Sequence, residues 1–327
     1  MSENKGVLIF AEQNDGEIHP VTYELLNKGK MLANELKTEL FTIILGDSNF
    51  ELDELIYRGS DKVFYLKNEE FNNPNPVLYK DHLKNYIEEK IKPEVILIGA
   101  TLFGRSLAPR LAIALKAGLT ADCTDLKIDS SDNKLIQIRP AFSENILAHI
   151  KTTSTLQMAT VRYQEFEAAK RDTTRTGEII HEDLKINKYD NLNIIEKLAS
   201  SDVDITDAEV IVAGGKGLKN PEDFSLLRKL AEILGGDLGA SRDVVDEDYI
   251  NKNYQVGYSG NRVKPIIYIA CGISGAPQHL AGMKESDIII AINTDSSAPI
   301  FNHCDYGIVG DLYDIIPKWV NMLKEVN

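Results

Sequence analysis

Residues 266–282 read IIYIACGISGAPQHLAG. An apolar run stops at Gly272, a turn of small residues follows, and Pro277 opens a helix that carries Gln278 and His279. Proline suits a first helical position, where its missing N–H is not needed. A strand that ends in a glycine turn and passes into a helix points backbone N–H groups and the positive end of the helix outward, which seats phosphates and ring cofactors. Core packing alone does not call for a Gln-His pair at that place. The segment predicts an α/β fold whose turn holds a ligand.

The flanking sequence extends the pattern. EVIVAGGKGL (209–218), PIIYIA (265–270), DIIIAIN (287–293) and YGIVG (306–310) read as strands, and PEDFSLLRKLAEILG (221–235) and HLAGMK (279–284) as helices. The last helix, LYDIIPKWVNMLKEV (312–326), sets Ile315, Ile316, Trp319, Val320 and Leu323 in one apolar stripe. Toward the N-terminus the strands are GVLIFAE (6–12), LFTIILG (40–46), KVFYLK (62–67) and PEVILIGA (93–100). Helices fall between them at 21–36, with Leu25, Leu26, Met31, Leu32 and Leu36 at helical spacing, and at 75–91. Continuous apolar strands separated by helices predict a parallel sheet covered on both faces. SLAPRLAIALKAGL (106–119) reads as a helix; the strands DLKID, KLIQIRPAF, ILAHIKT and TLQMATVRY then follow with no helix between them, which predicts an antiparallel extension. Residues 163–207 are charged and irregular, and read as a linker or as an edge strand plus linker. The expected organisation is an N-terminal Rossmann-like domain over 1–205, including that linker from about 163, and a doubly wound domain over 206–327.

Composition narrows the function. A chain of 327 residues suggests two domains. A net charge of −14 opposes non-specific nucleic-acid binding. No apolar run is long enough for a membrane helix and the N-terminus lacks the build of a signal peptide, so the expectation is a cytoplasmic protein. Cys123, Cys271 and Cys304 are widely spaced, signal neither zinc nor an iron–sulfur cluster, and read as reduced buried thiols. The histidines at 19, 82, 149, 181 and 303 have no partners at ligand spacing, and His149 and His181 read as structural. GGKGLKN (214–220) does not match G-x-x-x-x-G-K-[ST] and by itself is a strand–helix turn, although Lys216 has the reach for a phosphate. Arg242 after a Gly-Ala turn is, taken alone, a solvated charge. No G-x-S-x-G, H-E-x-x-H or carboxylate pair supports hydrolysis.

The conjunction of GGKGLKNPEDF, GASR (239–242), VGYSG (256–260), IYIACGISGAPQH (267–279), AIN (291–293) and DYGIVGDL (305–312), in this order, resembles the alpha subunit family of electron transfer flavoprotein. GATLFGRSLAPRLAIALKAGLTADCTDL (99–126) and IRPAF (138–142) resemble that family's first domain, so the likeness spans the chain. It implies an FAD held by the second domain. Ser274, Gly275, Ala276, Pro277, Gln278 and His279 match the loop along the cofactor, with His279 at the flavin C2 oxygen. Arg242 matches a guanidinium over the ring, and Ser241 sits beside it at the pyrophosphate. Val256, Gly257, Tyr258 and Ser259 match the turn under the ring, where a hydroxyl reaches N5. Asn293, Asp311 and Leu312 match the adenosine end, and Lys216 a basic residue near the phosphates.

The chain departs from the family pattern at Ser259, where Thr is common, at Tyr258, where a Gln can stand and whose bond to the C4 oxygen then falls to backbone, and at Lys216, where Arg is frequent. PAFSEN (140–145) replaces a more glycine-rich loop.

The physics of these roles is electrostatic. Reduction puts negative charge near N1 and the C2 oxygen, and a hydrogen bond to a charged group contributes roughly 1.5–3 kcal/mol. At about 59 mV per tenfold, one such contact moves a one-electron potential by roughly 60–130 mV. The resemblance further implies a beta subunit carrying AMP or, in bifurcating versions, a second FAD. It also implies a redox partner such as an acyl-CoA dehydrogenase, and a second domain that swivels about a hinge in 163–207. The competing readings are an autonomous flavin oxidoreductase and a non-redox adenine-nucleotide-binding module.

Overall fold

The run at 7–11 forms β1 (Val7–Ala11), buried throughout. Its alternate side chains enter opposite cores, Val7, Ile9 and Ala11 on one face and Leu8 and Phe10 on the other, as a period of two demands of a strand covered on both sides. The computed structural model describes residues 5–141, 143–186 and 205–326. The chain divides into two units, Met1–Asn193 and Ile194–Asn327.

In the first unit β1 is followed by a small ribbon of β2 (Gln13–Asn14) and β3 (Glu17–Ile18), then α1 (Val21–Leu36), β4 (Leu40–Gly46), α2 (Leu52–Tyr57), β5 (Lys62–Lys67), α3 (Pro76–Tyr86), β6 (Val95–Gly99) and α4 (Leu102–Leu115). Next come β7 (Gly118–Cys123), β8 (Asp125–Asp129), β9 (Lys134–Ala141), β10 (Ser143–Ile150), β11 (Gln157–Val161) and β12 (Glu178–Asp183). Seven strands form one parallel sheet in the order β12-β5-β4-β1-β6-β11-β7. The antiparallel extension exists as β10-β9-β8.

Two expectations are corrected. The helix read over 106–119 ends at Leu115, where Lys116 turns left-handed, and Gly118 begins β7. GLTADC carries too few apolar residues to announce a strand. TLQMATVRY does not belong to the antiparallel sheet: β11 inserts between β6 and β7 and runs parallel to both. Of the two readings of 163–207, the edge strand holds at 178–183, where β12 pairs with β5. Ahead of it Ala169 is buried and Arg171 pairs with Glu54. The remainder of that stretch, 187–204, lies outside the described residues. In α1, Leu25, Leu26 and Leu32 are buried as expected, but Met31 is half exposed.

β1 has β4 on one side and β6 on the other, so the chain's direction of winding reverses between β1 and β6. Just past those strand ends Glu12 is buried and accepts a hydrogen bond from the Thr101 hydroxyl (2.6 Å). Thr101 in turn caps α4 by accepting from the Gly104 N–H (2.9 Å). Burial lifts the Glu12 carboxyl to about 7, with the Thr101 bond opposing.

The second unit runs β13 (Val210–Gly214), α5 (Phe224–Leu234), β14 (Asp237–Ala240), α6 (Arg242–Asp246), β15 (Ile267–Cys271), α7 (Pro277–Leu280), β16 (Ile288–Asn293), β17 (Tyr306–Val309) and α8 (Leu312–Val326). Its parallel sheet has the order β14-β13-β15-β16-β17. α5 and α8 cover one face, against Val212, Ile269 and Cys271. The other face holds Ile211, Ala213, Tyr268 and Ala270 with Leu280 and Met283. The stripe on α8 buries Ile316 and Val320, with Ile315, Trp319 and Leu323 half-buried beside them. β14 is four residues long, and DLGA carries no strand pattern of its own.

Candidate functional site

By order of appearance the strands of the second sheet stand second, first, third, fourth, fifth, and the winding reverses between β13 and β15. In open parallel sheets that reversal leaves a crevice at the carboxyl ends of the strands, where ligands bind. Here the two loops touch backbone to backbone. Gly215 and Gly217 donate to the carbonyls of Cys271 and Gly272, each at 3.0 Å. Gly272 has φ +62°, and a Cβ on it would lie 2.6 Å from the Gly217 Cα. Only glycine fits that approach. The Leu312 side chain packs against the same pair.

The other candidates join this rim through main-chain bonds. Ser241 N–H donates to the Gly214 carbonyl and Val256 N–H to Ala240, both at 2.9 Å. The 256–260 turn is seated on α7: Tyr258 N–H donates to the Gln278 carbonyl (2.7 Å), and Gly257 lies against Gly282, whose Cβ would be 2.4 Å from the Gly257 N. The Ser274 carbonyl accepts from Ile300 N–H (3.0 Å), which holds the Ser274–Gly275–Ala276–Pro277 loop. Asn293 braces two loops, donating to the Ile273 carbonyl (2.9 Å) and accepting from Asp295 N–H (3.0 Å). Asp311 caps α8 by accepting from Tyr313 N–H (2.9 Å). Every residue singled out as a cofactor contact thus lies at the carboxyl end of this one sheet.

The exposed parts of the rim include polar groups, two cations and their acidic partners. Ser274, Ala276, Pro277 and Gln278 face solvent. Arg242 pairs with Asp246 one helical turn on (3.0 Å), both largely exposed, and Lys216 pairs with Glu247. Exposed pairs of this kind hold by about 0–1 kcal/mol, so both cations are available to an incoming anion. Ser259 accepts from Gln255 (3.1 Å) and keeps its own hydrogen to donate. The Tyr258 N–H is already committed to the Gln278 carbonyl.

The buried parts are short of partners. The Ser241 hydroxyl and His279 Nδ1 are buried with no hydrogen-bond partner. An orphaned buried polar group costs about 1–3 kcal/mol. His279 Nε2 is 3.0 Å from the Tyr268 hydroxyl. Burial lowers the His279 pKa to about 4, opposed by the Val256 main chain and the Asp243 charge, so the ring is neutral at pH 7. On the sheet's other face Cys271 is wholly buried, and desolvation pushes its thiol to about 12. Cys123 is also buried, whereas Cys304 is only half-buried. Two unpartnered polar atoms, two loosely held cations and a glycine-lined meeting of loops fit a large ligand with an anionic part and a hydrogen-bonding ring, as a flavin nucleotide has.

Three participants escaped the sequence. Tyr268 looked like one more strand residue, although a lone Tyr in IIYIAC was its signal. Glu247 lies 31 positions from Lys216, too far for any spacing rule. Asp246 stood at i,i+4 from Arg242 and was legible in principle.

The profile described as "Electron transfer flavoprotein domain" matches residues 7–187, and "Electron transfer flavoprotein FAD-binding domain" matches 204–284. Asn293, Asp311 and Leu312 fall beyond the second match. The chain is 43% identical over 331 residues to "Electron transfer flavoprotein subunit alpha" of Thermoanaerobacterium thermosaccharolyticum, covering 100% of both. It is 42% identical over 332 residues to the protein of that description from Megasphaera elsdenii, covering 99% of this chain and 98% of the other. It is 40% identical over 326 residues to "Lactate dehydrogenase (NAD(+),ferredoxin) subunit LctC" of Acetobacterium woodii, covering 98% of this chain and 77% of the other. Among the described residues no helix is long and apolar enough to cross a membrane.

Proposed function

The chain belongs to the electron transfer flavoprotein alpha-subunit family, and from that premise we propose that it binds FAD along the strand ends of its second unit and passes single electrons between flavoprotein partners. The observation that carries the reading is the rim itself. Five strand ends converge there, with an orphaned Ser241 hydroxyl, an orphaned His279 Nδ1 and the loosely paired Arg242 and Lys216. FAD, when bound, supplies the one-electron chemistry; the chain's part is to hold it and set its potential.

Lys216 and Ser241 are assigned to the phosphates, and Asn293, Asp311 and Leu312 to the adenosine end. Ser274, Gly275, Ala276, Pro277 and Gln278 run along the ribityl chain, and Val256, Gly257, Tyr258 and Ser259 lie under the ring. Arg242 supplies positive charge and His279 a neutral N–H donor, both of which favour negative charge on the ring over its absence. Neither residue transfers a proton, and no nucleophile or general base is required. An autonomous flavin oxidoreductase is the competing reading, and turnover of a substrate by the purified chain without a partner would favour it. The partner is a beta-type subunit, as the subunit names of the relatives suggest. An acyl-CoA dehydrogenase or a bifurcating lactate-type dehydrogenase is the class of redox partner to test, and the cytoplasm is the compartment proposed.

The test is co-purification from the native source. The expected result is a yellow heterodimer whose extracted cofactor co-migrates with FAD, and which loses its colour when residues 205–327 are deleted. A colourless protein that binds ATP, or flavin fully retained without that unit, overturns the reading.

A further inference from the structure

We propose that Tyr268 is the positioning residue for His279: its hydroxyl donates to Nε2, fixes the imidazole proton on Nδ1, and makes the ring a dedicated donor toward the flavin. This rests on the flavin assignment above and extends it to a residue buried beneath the rim.

Hydrogen-bond satisfaction fixes the tautomer. Tyr268 is fully buried in β15, on the face shared with Leu280 and Met283, and its hydroxyl lies 3.0 Å from His279 Nε2. A neutral imidazole carries one N–H and one lone pair. If Nε2 carried the proton, it would donate to the tyrosine oxygen. The tyrosine hydrogen would then have no acceptor, and Nδ1 would be a buried lone pair with no donor. If Tyr268 donates instead, its hydrogen and the Nε2 lone pair satisfy each other, and one group is left, the Nδ1 N–H. That is the atom the structure leaves without a partner. Desolvation keeps both residues neutral, since it raises the Tyr268 pKa and lowers that of His279. The Val256 main chain approaches the ring closely enough to favour the charged form, yet not at hydrogen-bonding geometry to Nδ1. Asp243 is the charge that acts on the ring, and its sign also favours an N–H over a lone pair. A ring nitrogen fixed by its other nitrogen's hydrogen bond is a familiar device at metal and catalytic sites; here, on the flavin assignment, it would leave Nδ1 to donate to the cofactor.

The test uses the flavin-loaded heterodimer labelled with [15N]histidine. With six histidines in the chain, the His279 signals are assigned by their loss in His279→Asn. The wild type is expected to show a protonated Nδ1 and an unprotonated Nε2 throughout pH 6–8. Tyr268→Phe is expected to give a mixture of tautomers and to lower the first one-electron equilibrium of the flavin by about tenfold, which is ~59 mV. An Nε2-protonated wild type overturns the proposal, and that measurement needs no variant to fold. A tautomer unchanged in Tyr268→Phe shows the phenol to be packing only, whatever happens to the melting temperature. A tautomer that shifts while the potential stays fixed refutes the contact between His279 and the flavin, and with it that residue's place in the flavin reading.

Discussion

Replacing Glu12 by Gln keeps an acceptor for the Thr101 hydroxyl and removes only the ability to ionise. The carboxyl moves from its ordinary 4.5 to about 7 on folding, because burial penalises its charge. At 1.36 kcal/mol per pKa unit, this links its ionisation to folding by about 3 kcal/mol. For an acid whose folded pKa is raised, the sign is fixed: its contribution is fully present below pH 4.5 and is lost as pH rises through 7. Glu12→Gln should therefore match the wild type near pH 4.5 and exceed its stability by about 3 kcal/mol at pH 8. The assay is urea unfolding at several pH values. Trp319, the sole tryptophan, lies in α8 of the second unit, so tryptophan fluorescence follows that unit and far-UV circular dichroism follows both. The transition seen by dichroism alone belongs to the first unit, and there the difference between the two proteins should open with pH. Parallel pH profiles, or a variant less stable at pH 8, would refute the reasoning by showing that Glu12 is ionised and held.

Further outcomes are expected in the second unit. Arg242→Ala gives up an exposed i,i+4 pair worth about 0.3–0.5 kcal/mol, so folding should hardly change while the flavin's first potential falls by tens of millivolts; an unchanged potential by redox titration means the guanidinium serves solvent. Ser241→Ala removes a buried hydroxyl that has no partner, so the flavin-free chain should be no less stable in urea, yet lose flavin faster on dialysis. The reverse pattern would make Ser241 structural. Gly272→Ala meets both a left-handed backbone and a 2.6 Å contact with Gly217, and should cost more than about 2 kcal/mol by urea titration. His279, with a folded pKa lowered to about 4, contributes stability that is whole above pH 6.5 and lost as pH falls toward 4; His279→Asn should blunt the second unit's sensitivity to acid.

The elements legible in the sequence were those whose pattern is local. VLIFA and VILIG announce buried strands by composition, and the amphipathic spacing over 75–91 announces a helix, observed as Pro76–Tyr86 behind an Asn75 cap. β7 and β14 were missed because GLTADC and DLGA earn their places by pairing with neighbours rather than by hydrophobicity. β11 was assigned to the wrong sheet because insertion between β6 and β7 is a long-range choice, and nothing in TLQMATVRY separates parallel from antiparallel pairing. The site was legible as a set of loops through the family resemblance. How those loops interlock was not, nor was the Tyr268 bond to His279, because contacts across the sheet leave no spacing to read.

Cys271 has a consequence for the durability of such a carrier. It ends β15, immediately before the glycine turn of the proposed flavin site. With its pKa at about 12, only about one part in 10⁵ is thiolate at pH 7, and the thiolate is the form that oxidants attack. Peroxide made when a reduced flavin meets oxygen would find a wholly buried sulfur with almost no nucleophilic fraction. The strand that carries the turn is thereby spared the wear its position invites, and ageing of the protein in air should begin instead at half-buried Cys304.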